Sequence, residues 1–512
     1  MRSKTIVSIL LILFFFTAIA QEPVENEYLK LDPAPFYKRS IRTEFTGGFF
    51  EHGDNIYAFR TKENKWTLRG YDLILEKFDS NYNLLQQSDA FFPGKGVDRT
   101  YKVLGFCSNA EGDLCIATIS TAFGESVAID LFMVNMQTLE PGEDYQRVLF
   151  FDEAFVQDFG YGKFELKISQ DKSHYALLHT SDFDEDKAKL LADAYVFNSN
   201  WELLYKYSDE VANTSRLADL KDWTLSNDGK IDILLKVYNS KREEISRNKA
   251  NYKLWCRRYE AGEMNATTYK IDLGENFIHG MDLENAVNGD MVIGANVYGI
   301  EGGSPKKVLC LRVSPAKDSV YPFQFVKLNS DSLEKDLALR SSLAKFKAFG
   351  RPKVKCTAGG GVYIISERVF EVNTVLKERP DQVQKVSYYN LGLSLSYFGE
   401  NEVNWTKFIR KLQVTFRDGG KFNSYAMALN GERLHLFYIN STFFKVTFKK
   451  FHRPLRHEVF DPNGERIINR LFSCREFKVM PLSKLAFMDS KGQFIIPING
   501  NKKTAMLVIN FK

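Results

Sequence analysis

A short apolar strand, a polar turn and a second apolar strand recur eight times along this chain, and no other feature limits its fold as tightly. The turns centre on Gly53, Gly112, Lys172, Gly229, Gly289, Gly361, Gly431 and Gly492, at intervals of 59, 60, 57, 60, 72, 70 and 61 residues. A period of that size, built from strands, means one supersecondary unit that cannot bury its own apolar faces and is copied so that neighbours cover one another.

The residues after the turns read DNIYAFR, DLCIATI, SHYALLH, KIDILLK, DMVIGAN, VYIISER, ERLHLFY and QFIIPIN. Such β-branched, aromatic and leucine-rich runs suit buried strands. Asp-Gly, Asn-Gly and Lys-Gly pairs supply the positive φ of a tight hairpin. A polar connection of variable length follows, then a third apolar strand: YDLILEKFD (71–79), AIDLFMVNM (128–136), DAYVFNSN (193–200), YKLWCRRYE (252–260), KVLCLRVS (307–314) and FKVTFKKF (444–451). A more polar fourth strand completes the unit, as in NLLQQSDAFF and WELLYKYSD. With 42 Phe and 24 Tyr, the chain has the bulky side chains needed between packed sheets.

The two ends read differently from the repeat. Arg2 and Lys4, the apolar run Ile6 to Phe16 and Ala18-Ile19-Ala20 form a secretory signal peptide over residues 1–20, with Gln21 as the mature N-terminus. The mature chain, 21–512, is expected to be one exported domain, periplasmic or extracellular. At the other end AMLVINFK (505–512) is a third strand without a fourth. The extended segment 27–45 is expected to supply that strand and close the array, which removes exposed sheet edges. Two long intervals have visible causes: a helical insertion over 331–349, and an insertion over 367–385 in the connection between the second and third strands of the sixth unit.

Through this repeat the chain resembles the β-propeller superfamily, in particular secreted bacterial propellers. The resemblance covers nearly all of residues 27–512 and implies an all-β, eight-bladed propeller of four-stranded antiparallel blades, closed by an N-terminal strand, with seven blades as the alternative. It rests on periodicity. No blade carries a Trp-Asp signature, a Ser-x-Asp-x-Gly-x-x-Trp box or a Tyr-Trp-Thr-Asp run, so no functional residue follows from the resemblance.

Signals of chemistry are sparse. There is no H-E-x-x-H, G-x-S-x-G or P-loop. His174 and His179 lie on opposite faces of one strand. His52, His452 and His457 read as solvated turn residues. Cys107, Cys115, Cys256, Cys310, Cys356 and Cys474 form no C-x-x-C pair; Cys107–Cys115 and Cys256–Cys310 are conceivable bridges, against free buried thiols. No cofactor is implied. The best metal pattern is Asp182, Asp184, Asp186 and Asp193, with the 1, 3, 5, 12 spacing of a calcium loop, but Lys187 stands where such a loop needs Gly. The net charge of +5 gives no reason to expect a nucleic-acid partner.

Function is therefore expected in the connections between second and third strands, which differ in every unit and share one face of the ring, or at the mouth of the central channel. Lys65, Trp66, Lys241, Arg242, Lys377 and Arg379 are the candidate contacts there, for a protein, peptide or glycan. The pattern favours a non-catalytic binding or scaffold protein, with oligomeric state open. The alternative is a carbohydrate-active enzyme with channel carboxylates such as Asp158, Asp282 and Glu284. Acids and aromatics clustered at the channel mouth would favour the enzyme, and apolar or basic groups would disfavour it.

Overall fold

The structure, a computed structural model, describes residues 24–512 except 34–36, 39–42, 46–48, 64–70, 90–98, 110, 123–125, 160–162, 181–190, 211–216, 240–242, 247–248, 264, 300–304, 329–348, 377–378, 400–402, 417–423, 440–453, 474–478 and 501–502. The expected signal peptide over residues 1–20 and the expected helical insertion over 331–349, apart from Phe349, lie outside the described residues.

Eight antiparallel sheets, each built on four strands, form a ring. Blade 4 shows the plan: Ala218–Leu225, Ile231–Tyr238, Tyr252–Tyr259 and Thr267–Asp272 pair in sequence order. Its second strand is buried at every residue, as is Met291–Tyr298 in blade 5. A blade is covered on both faces by its neighbours, so its central strands read as unbroken apolar runs.

Among the described residues most buried apolar side chains fall into eight clusters, and each straddles two neighbouring blades. One joins Ile56, Ala58 and Phe78 of blade 1 to Leu482, Ile495 and Met506 of blade 8. That cluster makes the array a closed ring.

Closure runs as the sequence implies. Leu29–Pro33 pairs antiparallel with the strand Lys503–Phe511, from Leu29 opposite Phe511 to Pro33 opposite Leu507. The N-terminal segment is thus the fourth strand of blade 8. The first-to-second turns carry their left-handed residues at the expected places, including Lys172 (φ 61°). In blade 6 the left-handed residue is Gly360 (φ 83°), not Gly361. Gly361 is needed for space, because a Cβ there would meet the Tyr397 hydroxyl at 2.4 Å.

Three expectations need correction. The 367–385 stretch is not a loop: Val362–Leu376 and Arg379–Phe398 form one long hairpin, paired out to Leu376 opposite Arg379. Apolar side chains recur along both arms, and the Phe370 and Tyr389 rings stack at 4.8 Å. The third strand of blade 7 is Pro454–Phe460, not 444–451, which lies outside the described residues. His457 consequently sits inside a strand, fully buried, rather than in a solvated turn.

Candidate functional site

In each blade the first strand runs closest to the ring centre: the first strands of consecutive blades touch from blade 1 to blade 6. They line the channel. Seven residues before the left-handed residue of each turn from blade 2 to blade 8 lies one set of positions: Glu165, Asp222, Asp282, Lys353 and Ser424 in blades 3 to 7, with Gly105 in blade 2 and Leu485 in blade 8. Thr46, the blade 1 position, lies outside the described residues. Among the described residues the charged and polar ones therefore form an arc over blades 3 to 7.

Within the arc each acid reaches into the next blade. Glu165 accepts the indole N–H of Trp223 at 2.8 Å. Asp222 accepts the backbone N–H of Leu283 at 2.9 Å, and Asp282 that of Val354 at 3.0 Å. Repetition of one position thus ties blades 3 to 6 together at the wall.

Cations complete the network. Arg351, just before the first strand of blade 6 (Lys353–Cys356), pairs with both Asp222 and Asp282, the latter at 3.0 Å. Lys353 lies 3.2 Å from Asp282, and Lys355 lies 2.7 Å from Glu284. Lys167 donates to the Trp223 carbonyl and stands 3.8 Å from Asp222. Burial holds the Lys167 ammonium below the usual lysine range, against the opposing pull of Asp222 and Glu165. The exposures are graded: the side chains of Arg351 and Lys353 are 43% and 51% accessible, those of Asp222 and Asp282 only 11% and 8%. The carboxylates form the back of the site and the cations its surface.

The arc ends at Ser424, whose backbone φ of 105° is rare for a residue with a side chain. Three contacts hold it there. Its Oγ donates to Glu367 at 2.9 Å, its N–H donates to the Gln413 side chain at 2.7 Å, and Gln413 in turn donates to the Ile439 carbonyl at 3.0 Å. Glu367 also pairs with Lys411, which is fully buried; burial pulls the Lys411 ammonium down although Glu367 opposes it. The neighbouring Tyr425 phenol is pushed well up, by burial first and then by Glu367 and Asp282.

The sequence-derived candidates fare unevenly. Asp282 and Glu284 lie on the channel wall, each bound to cations. The side chain of Asp158, in the helix Glu153–Phe159, lies outside the described residues, as do Lys65, Trp66, Lys241, Arg242 and Lys377. Arg379 opens the third strand of blade 6, and its side chain is likewise outside. Asp182, Asp184 and Asp186 fall outside too. Asp193 is described: it is buried, pairs with Lys206 at 3.2 Å and accepts the Tyr195 hydroxyl at 3.3 Å. The five described cysteines are free thiols. Cys107 and Cys115 face each other across a hairpin, whereas Cys256 and Cys310 belong to different inter-blade clusters. Burial pushes the Cys115 thiol up to about 12, which makes it unreactive.

Sequence reasoning missed Arg351, Lys353, Glu367, Lys411 and Ser424. Alignment of the chain on its sequence turns brings Glu165, Asp222, Asp282 and Ser424 into one column, which was the available signal. Lys353 joins it only when the blade 6 turn is placed at Gly360, as the structure does.

No family model matches the chain, and no curated protein matches it. Among solved structures it is similar to the polysaccharide lyase Uly1, at 11% identity and a TM-score of 0.37, over 93% of this chain and 91% of that one. It is also similar to prolyl oligopeptidase B from Galerina marginata (10% identity, TM-score 0.39, 89% of this chain and 55% of that one). Levansucrase from Bacillus subtilis is a third (11% identity, TM-score 0.29, 58% of this chain and 88% of that one). Likeness at this level assigns no activity.

Proposed function

We propose that this protein is an exported binding propeller that takes its ligand at the channel wall of blades 3 to 7 and presents cations to negatively charged groups on it. The observation that carries this reading is the graded arc, with Arg351, Lys353, Lys355 and Lys167 toward solvent and Asp222 and Asp282 behind them. Both acids are engaged at both oxygens. Asp222 meets the N–H groups of Trp223 and Leu283 as well as Arg351; Asp282 meets Arg351, Lys353 and the Val354 N–H. A carboxylate so occupied serves the wall better than it serves general acid–base chemistry, which needs an oxygen free for the reacting group. This supports binding over the carbohydrate-active alternative. The loop residues Lys65, Trp66, Lys241, Arg242, Lys377 and Arg379 would form an outer contact surface, and Asp182, Asp184, Asp186 and Asp193 a place for calcium.

The test is calorimetric titration of residues 21–512 with a uronic-acid oligosaccharide and its neutral counterpart. The acidic probe should bind and the neutral one should not. Lys353→Gln with Lys355→Gln should weaken the acidic probe by about tenfold or more, the worth of charge-assisted hydrogen bonds. Equal binding of both probes, or binding unchanged in the double variant, would remove the channel cations from the function.

A further inference from the structure

Blade 7 buries two histidines side by side where it meets the closing blade. His435 is on the second strand (Arg433–Ile439) and His457 on the third (Pro454–Phe460). His435 Nδ1 and His457 Nε2 are 3.0 Å apart, in hydrogen-bond contact, so one ring donates and the other accepts. The two outer nitrogens, His435 Nε2 and His457 Nδ1, are buried and have no partner among the described residues. Next to His457 in register is Asn469, whose buried amide nitrogen is also unpartnered.

The surroundings are aromatic. The Phe437 ring stacks on His457 at 4.7 Å, and the Phe511 ring meets His435 edge-on at 4.4 Å. Phe511 is the residue opposite Leu29 in the pairing that closes the ring. The imidazoles therefore support the side of blade 8 that holds the N-terminal strand, through Phe511, Phe494, Leu29 and Leu31.

We propose that this seam is an acid-sensitive latch: protonation of the His435–His457 pair loosens blade 8 from blade 7 and frees the closing strand Leu29–Pro33. A second proton on the pair would abolish its mutual hydrogen bond, since neither ring could then accept, and would leave two cations among phenylalanines. Among the described residues neither imidazole makes an ion pair that could hold the added charge.

The charged groups nearby offer no relief. On the same sheet, Arg433 repels His435 and lies over the Tyr28 ring at 5.5 Å. Glu458 and Arg456 adjoin His457 in sequence and so point to the opposite face; Glu458 is held there by Arg466 and Tyr438. Arg470 belongs to the fourth strand. Blade 8 brings Lys484 and Lys512, and the closing strand brings Lys30, all of them cations. The side chains of Asp32 and Lys503 lie outside the described residues.

Burial accordingly depresses both groups, His435 to about 4 and His457 to about 3, against 6.5 when exposed. The sign follows. The opened seam binds protons more tightly than the closed one, so closure is fully favoured above 6.5 and weakens as pH falls from there toward the depressed values. An opening step that takes up one proton becomes about tenfold more favourable per pH unit, and one that takes up two about a hundredfold.

Amide hydrogen exchange on residues 21–512 between pH 6.5 and 4.5, corrected for the intrinsic pH dependence of exchange, reads this directly. Amides of 29–32 and 503–511 should lose protection by at least tenfold per pH unit, while those of blade 4, which has no histidine, should not. His435→Gln with His457→Gln should flatten the slope whatever its baseline stability. If that variant does not fold, the comparison of seam with blade 4 in the unaltered protein decides. A seam that keeps its protection to pH 4.5, opens no earlier than blade 4, or keeps its slope in the variant overturns the latch.

Discussion

The inner wall of blades 4 to 6 and the seam between blades 7 and 8 both bury polar side chains, and they satisfy them in opposite ways. On the wall, Asp222 and Asp282 each meet a guanidinium and a backbone N–H of the next blade. At the seam, His435 and His457 meet each other and otherwise phenylalanine. A saturated network in a low-dielectric setting rigidifies what it joins, whereas an unsaturated one holds only while it stays neutral. The difference follows chain connectivity. Blades 4, 5 and 6 are consecutive and covalently linked, while blade 8 depends on a strand from the other end of the sequence.

The comparison can be broken most directly by deleting residues 24–33. Without Leu29 and Leu31 the blade 7–8 cluster loses two fully buried leucines and blade 8 gains an exposed edge. The expected result is loss of cooperative thermal unfolding; an unchanged melting temperature would show that closure holds nothing. Next in size is Asp232→Ala in blade 4, which strands Arg258 from a two-bond pair at 2.6 and 2.7 Å with both side chains buried. Loss of about 3–5 kcal/mol is expected by denaturant titration. Asp282→Ala should lose less, about 1–3 kcal/mol, because Arg351 and Lys353 can turn to water and only the Val354 N–H is left buried. Equal losses at the two sites would mean that the wall network is as desolvated as the blade interior. The smallest effect separates two turns of the same type. Gly229 and Gly289 both have positive φ, at 77° and 83°, so alanine at either is strained by about 1 kcal/mol. At Gly229 the new Cβ would also meet the Tyr205 hydroxyl at 2.2 Å, while at Gly289 it meets nothing within 4 Å. Gly229→Ala should therefore be the more destabilising, by a further ~1 kcal/mol if Tyr205 has to move.

The sequence was most readable where backbone demands are strict. Hairpin turns need left-handed residues, so Gly53, Gly112, Gly229, Gly289, Gly431 and Gly492 marked the blades without reference to anything distant. The closing strand was readable from a deficit, a third strand without a fourth. The third strand of blade 7 was not, because Arg456 and His457 occupy positions where a buried strand ordinarily shows apolar residues, and FKVTFKKF nearby has the stronger pattern. The long hairpin of blade 6 was obscured by the polar ERPDQ at its bend, which resembles an ordinary loop. At the channel the acids could have been found by aligning the turns. Their partners could not: Arg351 reaches Asp222 and Asp282 only because the ring brings blades 4, 5 and 6 side by side.

The pairing of Leu29–Pro33 with Leu507–Phe511 also sets a timetable for biogenesis. A ribosome delivers the N-terminal partner first and its mate only after seven blades' worth of chain has followed. Blades 1 to 7 can form locally as they emerge, since each pairs strands close in sequence. The ring as a whole cannot shut before residues 507–511 appear, so the nascent protein carries an unpaired, β-prone segment throughout its production.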